Sequence, residues 1–141
     1  MNELTLQTTT VLNRLLQTLH RSLPIYLADA RPWVGHEDGG LWSALTNVAI
    51  DYRDYVARLA DMILELGGPL EVGLFPMEFS SLHDLSIDYL LQKSIEFQRR
   101  DVEIIRGCME SLEPDSPSRL LAEEVLGNAS GHLERMLCPP K

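Results

Sequence analysis

The chain has 141 residues, of which 45% are hydrophobic, and a formal net charge of −9. This length is enough for one domain whose buried core needs neither a metal nor a disulfide to fold. The acidic balance argues against nucleic acid and anionic membranes as partners, because both attract an excess of Lys and Arg.

Neither the N-terminus nor the two cysteines indicate export. The first ten residues, MNELTLQTTT, lack the basic start and apolar centre of a signal peptide. No apolar run approaches the roughly 20 residues that a membrane span needs. Cys108 and Cys138 lie far apart without CxxC spacing, which favours free thiols in a reducing compartment. We therefore expect a cytoplasmic protein.

The first predicted helix covers residues 3 to about 21. Its apolar side chains recur every three or four residues, which predicts one buried face. This face comprises Thr8, Leu12, Leu15, Leu16, Leu19 and Leu23. His20 lies roughly 90° from the axis of the face, at about 100° per residue, so we expect it at the boundary with solvent.

The segment that follows, IYLADARPWVGHEDGG, is the least regular part of the chain. Pro24 could kink the first helix into a continuation through Ala30, which Pro32 should end. The segment also holds three potential metal ligands in a row, the side chains of residues 36 to 38. Such a loop cluster is a weak signal when no second set of ligands accompanies it.

The second predicted helix, from 41 to 66, is the most regular. Its apolar positions are Leu41, Leu45, Val48, Tyr52, Tyr55, Leu59, Ile63 and Leu66. Tyr52 and Tyr55 lie three apart in the middle of this face. Asp51 and Asp54 have the same spacing, but they lie about 80° and 140° from the axis of the face, so we expect both outside the interior.

A stop and an extended connection follow this helix. Gly67 and Gly68, with Pro69 directly after them, predict the helix end. The next twelve residues, PLEVGLFPMEFS, have no helical period and are too apolar for a free linker. We interpret them as an extended crossover along the bundle. Its expected anchors are Leu74, Phe75 and Phe79.

The third predicted helix begins at Ser80 or Ser81 and runs to about Leu112. Its apolar face comprises Ile87, Leu91, Val102, Ile105, Met109 and Leu112. Polar side chains occupy the middle of this face. They are Ser94, Gln98 and Asp101. Glu96 points the other way and is expected in solvent.

The fourth predicted helix is capped by Ser116 or Ser118 and runs to about Leu137. Its inward positions are Ala122, Val125, Ala129, Leu133 and Met136. His132 lies about 60° to one side of this face. The helix therefore adds one imidazole to a largely apolar interior.

Four helices with a short last connection and a long crossover between the second and third resemble the ferritin-like fold. The stretches LHRSLPIYLADARPW and FSSLHDLSIDYLL are also similar to small bacterial proteins described only as ferritin-like. The resemblance implies an all-α, four-helix up-down bundle that forms a single domain over residues 1–141. Members that bind two metals carry Glu on two helices and Glu-x-x-His on the other two.

The interior predicted here lacks that ligand set. It offers one carboxylate, Asp101, and one imidazole, His132, whose motif reads Ala-Ser-Gly-His without the glutamate. The remaining polar groups belong to Tyr52, Tyr55 and Gln98. Two divalent cations need several anionic ligands to offset the cost of dehydration. We therefore expect no di-metal site and no cofactor, and we interpret these five side chains as a polar network within an apolar bundle.

Three functions stay open at this point. One is a non-catalytic binding, scaffold or oligomerisation protein that has lost the metal site of the family. Another is an atypical metal-binding or redox protein with a site around His132 and Asp101. The third is a small-molecule ligand between the helices, lined by Tyr52, Tyr55, Gln98 and His132. No GxSxG, P-loop or GxGxxG motif supports a hydrolase or a nucleotide site.

Apolar residues spread more widely around the third helix than one bundle seam requires. Leu91 and Ile95 lie on one side, and Leu90, Phe97 and Cys108 on the other. This excess predicts a homodimer that buries it across a two-fold axis.

Overall fold

The computed structural model describes residues 2–30, 39–73 and 87–138, and the regular structure of these segments is entirely α-helical. The all-α prediction is thereby confirmed. The helices are α1 (Glu3–His20), α2 (Leu23–Ala30), α3 (Gly39–Glu65), α4 (Ile87–Glu110) and α5 (Pro117–Leu137). None of them is long and apolar enough to cross a membrane.

The described segments contain five helices where the sequence predicts four. The break lies after His20, where the N–H of Arg21 donates to the carbonyl of Gln17 at 2.9 Å and closes α1. Pro24 falls in the first turn of α2. A proline is tolerated there because the N–H groups of a first helical turn have no partner within the helix. Pro24 therefore belongs to the start of a new helix and does not kink the first.

The buried face of α1 agrees with its sequence pattern. Asn2 caps the helix, accepting a hydrogen bond from the N–H of Thr5 at 2.7 Å. The leucines of the predicted face are fully buried: Leu12, Leu15, Leu16, Leu19 and Leu23. Thr9 is buried in place of Thr8, and His20 is half-buried, as expected for a boundary position.

The end of α3 was predicted correctly at the glycine pair. Gly67 adopts a φ of +83°, a left-handed conformation that favours glycine. Its N–H donates to Leu64, and the N–H of Gly68 donates to Ile63, both at 3.0 Å. These two bonds form a Schellman motif, which satisfies the last carbonyls of the helix.

Of the two serines that could cap α5, Ser116 and Ser118, the structure shows that Ser116 is the cap. The Ser116 hydroxyl accepts a hydrogen bond from the N–H of Arg119 at 3.1 Å, and Pro117 opens the helix. Ser118 is buried within the first turn. The short connection from α4 makes α4 and α5 neighbours, and their contact is the most extensive in the fold.

Contacts across the bundle give the helix directions. Asp51 contacts His132, while Arg58, further along α3, contacts Glu124, which lies earlier on α5. The helices α3 and α5 are therefore antiparallel. Both α1 and α5 pack against α3 and against α4.

The residues after α3 run alongside α1. The amide of Asn13 donates to the carbonyl of Pro69 at 2.8 Å and accepts from the N–H of Glu71 at 2.9 Å. Gln17, one turn later on α1, donates to the carbonyl of Glu71 at 2.8 Å. Residues 69 to 71 therefore run alongside α1, in the same direction as that helix.

Several predictions fall outside the described residues. They concern the potential metal ligands of the loop at 36 to 38, the crossover anchors, and the start of the third predicted helix. The residues are His36, Glu37, Asp38, Leu74, Phe75, Phe79, Ser80 and Ser81.

The apolar residues that suggested a dimer are largely covered by the chain itself. Leu90, Phe97 and Cys108 are buried, and Ile95 packs half-buried against the core. Leu91 is half-buried as well. The wide apolar face of α4 is used mainly inside the bundle, because α1 and α5 both pack against this helix.

Candidate functional site

A buried hydrogen bond between α3 and α4 lies in the bundle interior. The side-chain amide of Gln98 donates to the Tyr52 hydroxyl at 2.9 Å and to the carbonyl of Ala129 at 3.0 Å. Gln98 and Tyr52 are at most 1% exposed. Burial, with the negative charge of Asp101 in second place, raises the pKa of Tyr52 far above its usual value. Tyr52 therefore remains a neutral phenol that links two helices.

His132 joins α5 to α3 through a chain of polar groups. Its Nε2 lies 2.7 Å from a carboxylate oxygen of Asp51, which also accepts from the Asn128 amide at 2.9 Å. Its Nδ1 lies 3.0 Å from a guanidinium nitrogen of Arg135. The ring packs edge-on to Tyr52, with 6.5 Å between the centroids.

These contacts determine the tautomer of His132. A guanidinium group only donates, so Nδ1 must present its lone pair to Arg135. The proton is therefore on Nε2, which donates to Asp51. Both ring nitrogens are thus engaged by protein groups, one by the Asp51 carboxylate and the other by the Arg135 guanidinium.

The ionised form of Asp51 is favoured at this position. Partial burial opposes ionisation, but hydrogen bonds from Asn128 and His132, with the charge of Arg135, outweigh it and lower the pKa of Asp51. The periodicity of α3 alone predicts this carboxylate outside the interior. It is in fact partly exposed and bonded to an imidazole whose side chain is only 5% exposed.

Tyr55 belongs to a different cluster at the edge of the α3–α5 interface. Arg58 lies over its ring at 5.3 Å from the centroid and forms an ion pair with Glu124. Burial and a hydrogen bond to Glu124 raise the pKa of Tyr55 to about 12. Glu124 is therefore committed to Arg58 and Tyr55 rather than to His132.

Asp101 lines a pocket between α1 and α4 whose described lining includes none of Tyr52, Gln98 and His132. The pocket has a volume of about 310 Å³. Its lining comprises Arg14, Gln17, Thr18, Arg21, Ser22, Leu23, Phe97, Arg100, Asp101 and Ile104. Burial raises the pKa of Asp101 to about 7, opposed only by the charge of Arg100. The ligand pocket predicted around Tyr52, Tyr55 and Gln98 is not this one.

The five side chains predicted as one network thus divide into three groups. Tyr52, Gln98 and the ring of His132 lie together, Tyr55 pairs with Glu124, and Asp101 lines the pocket. The described segments contain no cluster of three or more His, Cys, Asp or Glu side chains able to hold a metal ion. The groups around His132 do not fit a di-metal centre, because the positively charged Arg135 guanidinium occupies the position beside Nδ1 where a metal ion would bind.

Sequence reasoning missed three partners of His132. These partners are Asp51, Asn128 and Arg135, and each lies on the flank of its helix. The apolar period of one helix, considered alone, predicts that a side chain on the flank is exposed to solvent. The available signal was the spacing: Asn128 and His132 are one turn apart on the flank that meets α3. Both residues reach the Asp51 carboxylate only because α3 and α5 pack against each other in antiparallel directions.

Comparison with known proteins adds no assignment: no family model matches the chain, and no curated protein or solved structure is significantly similar to it.

Proposed function

We propose that the chain is a non-catalytic, ferritin-like four-helix bundle that works as a binding protein and lacks the metal centre of metal-binding members. The observation that carries this proposal is the engagement of both nitrogens of His132, by Asp51 at 2.7 Å and Arg135 at 3.0 Å. A general base or a metal ligand needs a free lone pair. Here the lone pair is held by a cation.

The arrangement of the four long helices supports the ferritin-like part of the proposal. In that fold the mid-chain crossover makes the second and third long helices parallel, so both are antiparallel neighbours of the first and last. The chain meets this requirement in part, since α1 and α5 each pack against α3 and α4. The hydrogen bonds of Asn13 to Pro69 and Glu71 lay the start of the crossover along α1.

The polar interior is suited to specifying the packing of the helices. Gln98 bridges α3, α4 and α5 through Tyr52 and the Ala129 carbonyl. The Nε2 group of this amide has both of its partners in the observed packing, although the buried Oε1 atom has none. A register that separated Nε2 from Tyr52 and Ala129 would leave a buried donor unpaired as well. This supports a structural role for the polar groups around Gln98 and His132, and a binding site elsewhere on the bundle.

Metal analysis of the purified protein tests the proposal. Protein purified without chelators and then dialysed against Fe²⁺, Mn²⁺ or Zn²⁺ should retain far less than one ion per chain, as measured by inductively coupled plasma mass spectrometry. The result should be the same for His132→Gln, with His20→Gln as the matched control. A near-stoichiometric ion that is lost in His132→Gln alone would establish the metal-binding alternative.

The homodimer is also a proposal. Its interface cannot be the full apolar face of α4 as predicted, since Leu90 and Phe97 are buried within the chain. Exposed apolar side chains do occur on other helices, among them Ile50 and Leu64 on α3 and Leu120 on α5.

A further inference from the structure

The pocket between α1 and α4 concentrates positive charge on an acidic protein. Three of the 12 Lys and Arg residues line it, Arg14, Arg21 and Arg100, in a chain with a net charge of −9. No carboxylate of the described segments lies within ion-pair distance of these guanidinium groups. Other arginines, such as Arg58 and Arg106, pair with glutamates.

Two buried polar atoms of the pocket wall have no hydrogen-bond partner. Ser22 is 3% exposed, and its hydroxyl is unpaired. The Nε atom of Arg21 is also buried and unpaired. Leaving a buried polar atom without a partner is unfavourable, so an acceptor bound beside either atom relieves this cost.

Arg21 and Ser22 are consecutive residues in the link between α1 and α2, and both line the pocket. Ser22 and Leu23 form the start of α2, whose N-terminus carries partial positive charge. The stem of Arg21 packs against Gly73, where φ is +71° and an added Cβ would lie 3.0 Å from the arginine Cδ. A glycine at this position therefore lets the extended segment approach the arginine closely.

The remaining wall is apolar on one side. Phe97, Ile104 and Leu23 line it, and the guanidinium of Arg100 lies over the Phe97 ring at 4.8 Å from the centroid. Asp101 is the one acid among the described lining residues, and its pKa near 7 leaves it only partly charged at neutral pH. It opposes an anion weakly and can donate a hydrogen bond when protonated.

From this geometry we propose that the α1–α4 pocket binds a small organic anion, a carboxylate or phosphate carried on an apolar group. The oxyanion lies between Arg14, Arg21 and Arg100 and accepts from the Ser22 hydroxyl, and the apolar group contacts Phe97 and Ile104. A volume of about 310 Å³ is at the small end of ligand sites. The ligand is therefore a compact metabolite rather than a peptide or a nucleic acid.

The test is a titration followed by ¹H–¹⁵N NMR, with phenyl phosphate and benzoate as probes. The signals of the Ser22 amide and of the Arg21 Nε–H should shift and saturate at millimolar concentrations or below. Phenol, which lacks the charge, should leave them in place. Inorganic phosphate, which lacks the apolar group, should bind at least threefold more weakly than phenyl phosphate.

Neighbouring arginines on α4 provide a matched pair of variants. Arg100→Gln should weaken binding of the better probe about tenfold, as expected when a charge-assisted hydrogen bond is lost. Arg99→Gln removes the same charge from an exposed position outside the pocket and should change the affinity less than twofold. Ser22→Ala should weaken binding as well, and the amide signals of α5 report whether each variant is folded.

The proposal is overturned if neither organic probe shifts these signals, if phenol does so equally, if inorganic phosphate binds as tightly as phenyl phosphate, or if the two arginine variants lose equal affinity. The ligand class rests on the proposed binding function, but the two fail separately. Metal analysis reports on His132, whereas the titration reports on residues of the α1–α4 pocket.

Discussion

His132 and Asp101 illustrate how little the type of a residue says about its role. Both were candidates for one shared site, yet one is fixed between Asp51 and Arg135 and the other faces the pocket. No hydrogen bond from the described residues reaches the Asp101 carboxylate, and only the charge of Arg100 supports its ionisation. Its burial is therefore costly whenever it is ionised.

Replacing Asp101 should stabilise the protein at neutral and alkaline pH. The folded-state pKa of about 7 exceeds the unfolded value of about 3.9, so the folded state retains a proton that the unfolded chain has released. Stability should fall as pH rises between these two values and then stay level. Asp101→Asn should abolish this dependence of stability on pH. At pH 8 it should raise the free energy of unfolding by an amount on the order of 1 kcal/mol or more.

Urea denaturation between pH 4 and 8 measures this effect. Asp61→Asn, an exposed position on α3, is the control, and it should change the free energy of unfolding by no more than about 0.5 kcal/mol. A lower stability of Asp101→Asn at pH 8 would mean that the carboxylate is stabilised by its arginine neighbours instead of being burdened by burial.

At the level of elements, the segment after α3 is the least conventional part of the described chain. Residues 69 to 73 belong to no helix or strand, yet two of their backbone groups pair with the side chain of Asn13 on α1, which is 4% exposed. One asparagine thus offers the segment the donor and acceptor that a neighbouring strand would supply. Gly67 and Gly68 begin this path by ending α3 next to α1.

Asn13→Ala should detach the segment without unfolding the bundle. Two hydrogen bonds are lost, so we expect a decrease of about 1–2 kcal/mol in the free energy of unfolding. The Glu71 amide should lose most of its protection in hydrogen-exchange NMR, while the amides of α5 keep theirs. Gln17→Ala, which removes one exposed bond to the same residue, is the matched control and should have a smaller effect. Equal protection of Glu71 in Asn13→Ala and wild type would contradict this account.

For the whole molecule, the distribution of charge matters more than its sum. The chain carries a net charge of −9, yet three arginines lie together at the α1–α4 pocket. A small anion is repelled by the molecule at long range and attracted at short range. Ionic strength of about 0.15 M screens charges beyond roughly 8 Å, which favours the short-range attraction.

Oligomeric state is the other property of the whole molecule that can be measured directly. The proposed homodimer should give twice the mass of one chain by light scattering at tens of micromolar. Because the apolar face of α4 is mostly covered within the chain, the interface must use other exposed apolar residues. Leu64→Lys tests whether the exposed surface of α3 is part of it, and Leu137→Lys makes the same change on α5 for comparison. A mass of one chain across this concentration range would refute the dimer.

The sequence by itself determined the four long helices, the end of α3 and most of the buried face of α1, but not the break that makes α2 a separate helix. Apolar spacing, glycine pairs and serine caps act within a few residues, so the buried leucines of α1, the end of α3 at Gly67 and the cap at Ser116 could be predicted locally. Only the tertiary structure decided which sides of neighbouring helices contact each other. Asp51 pairs with His132, which lies 81 positions further along the chain, and the pocket brings Arg100 of α4 to Arg14 and Arg21 near the N-terminus. Such contacts depend on the rotation and direction of two helices together, which the period of either helix alone does not contain.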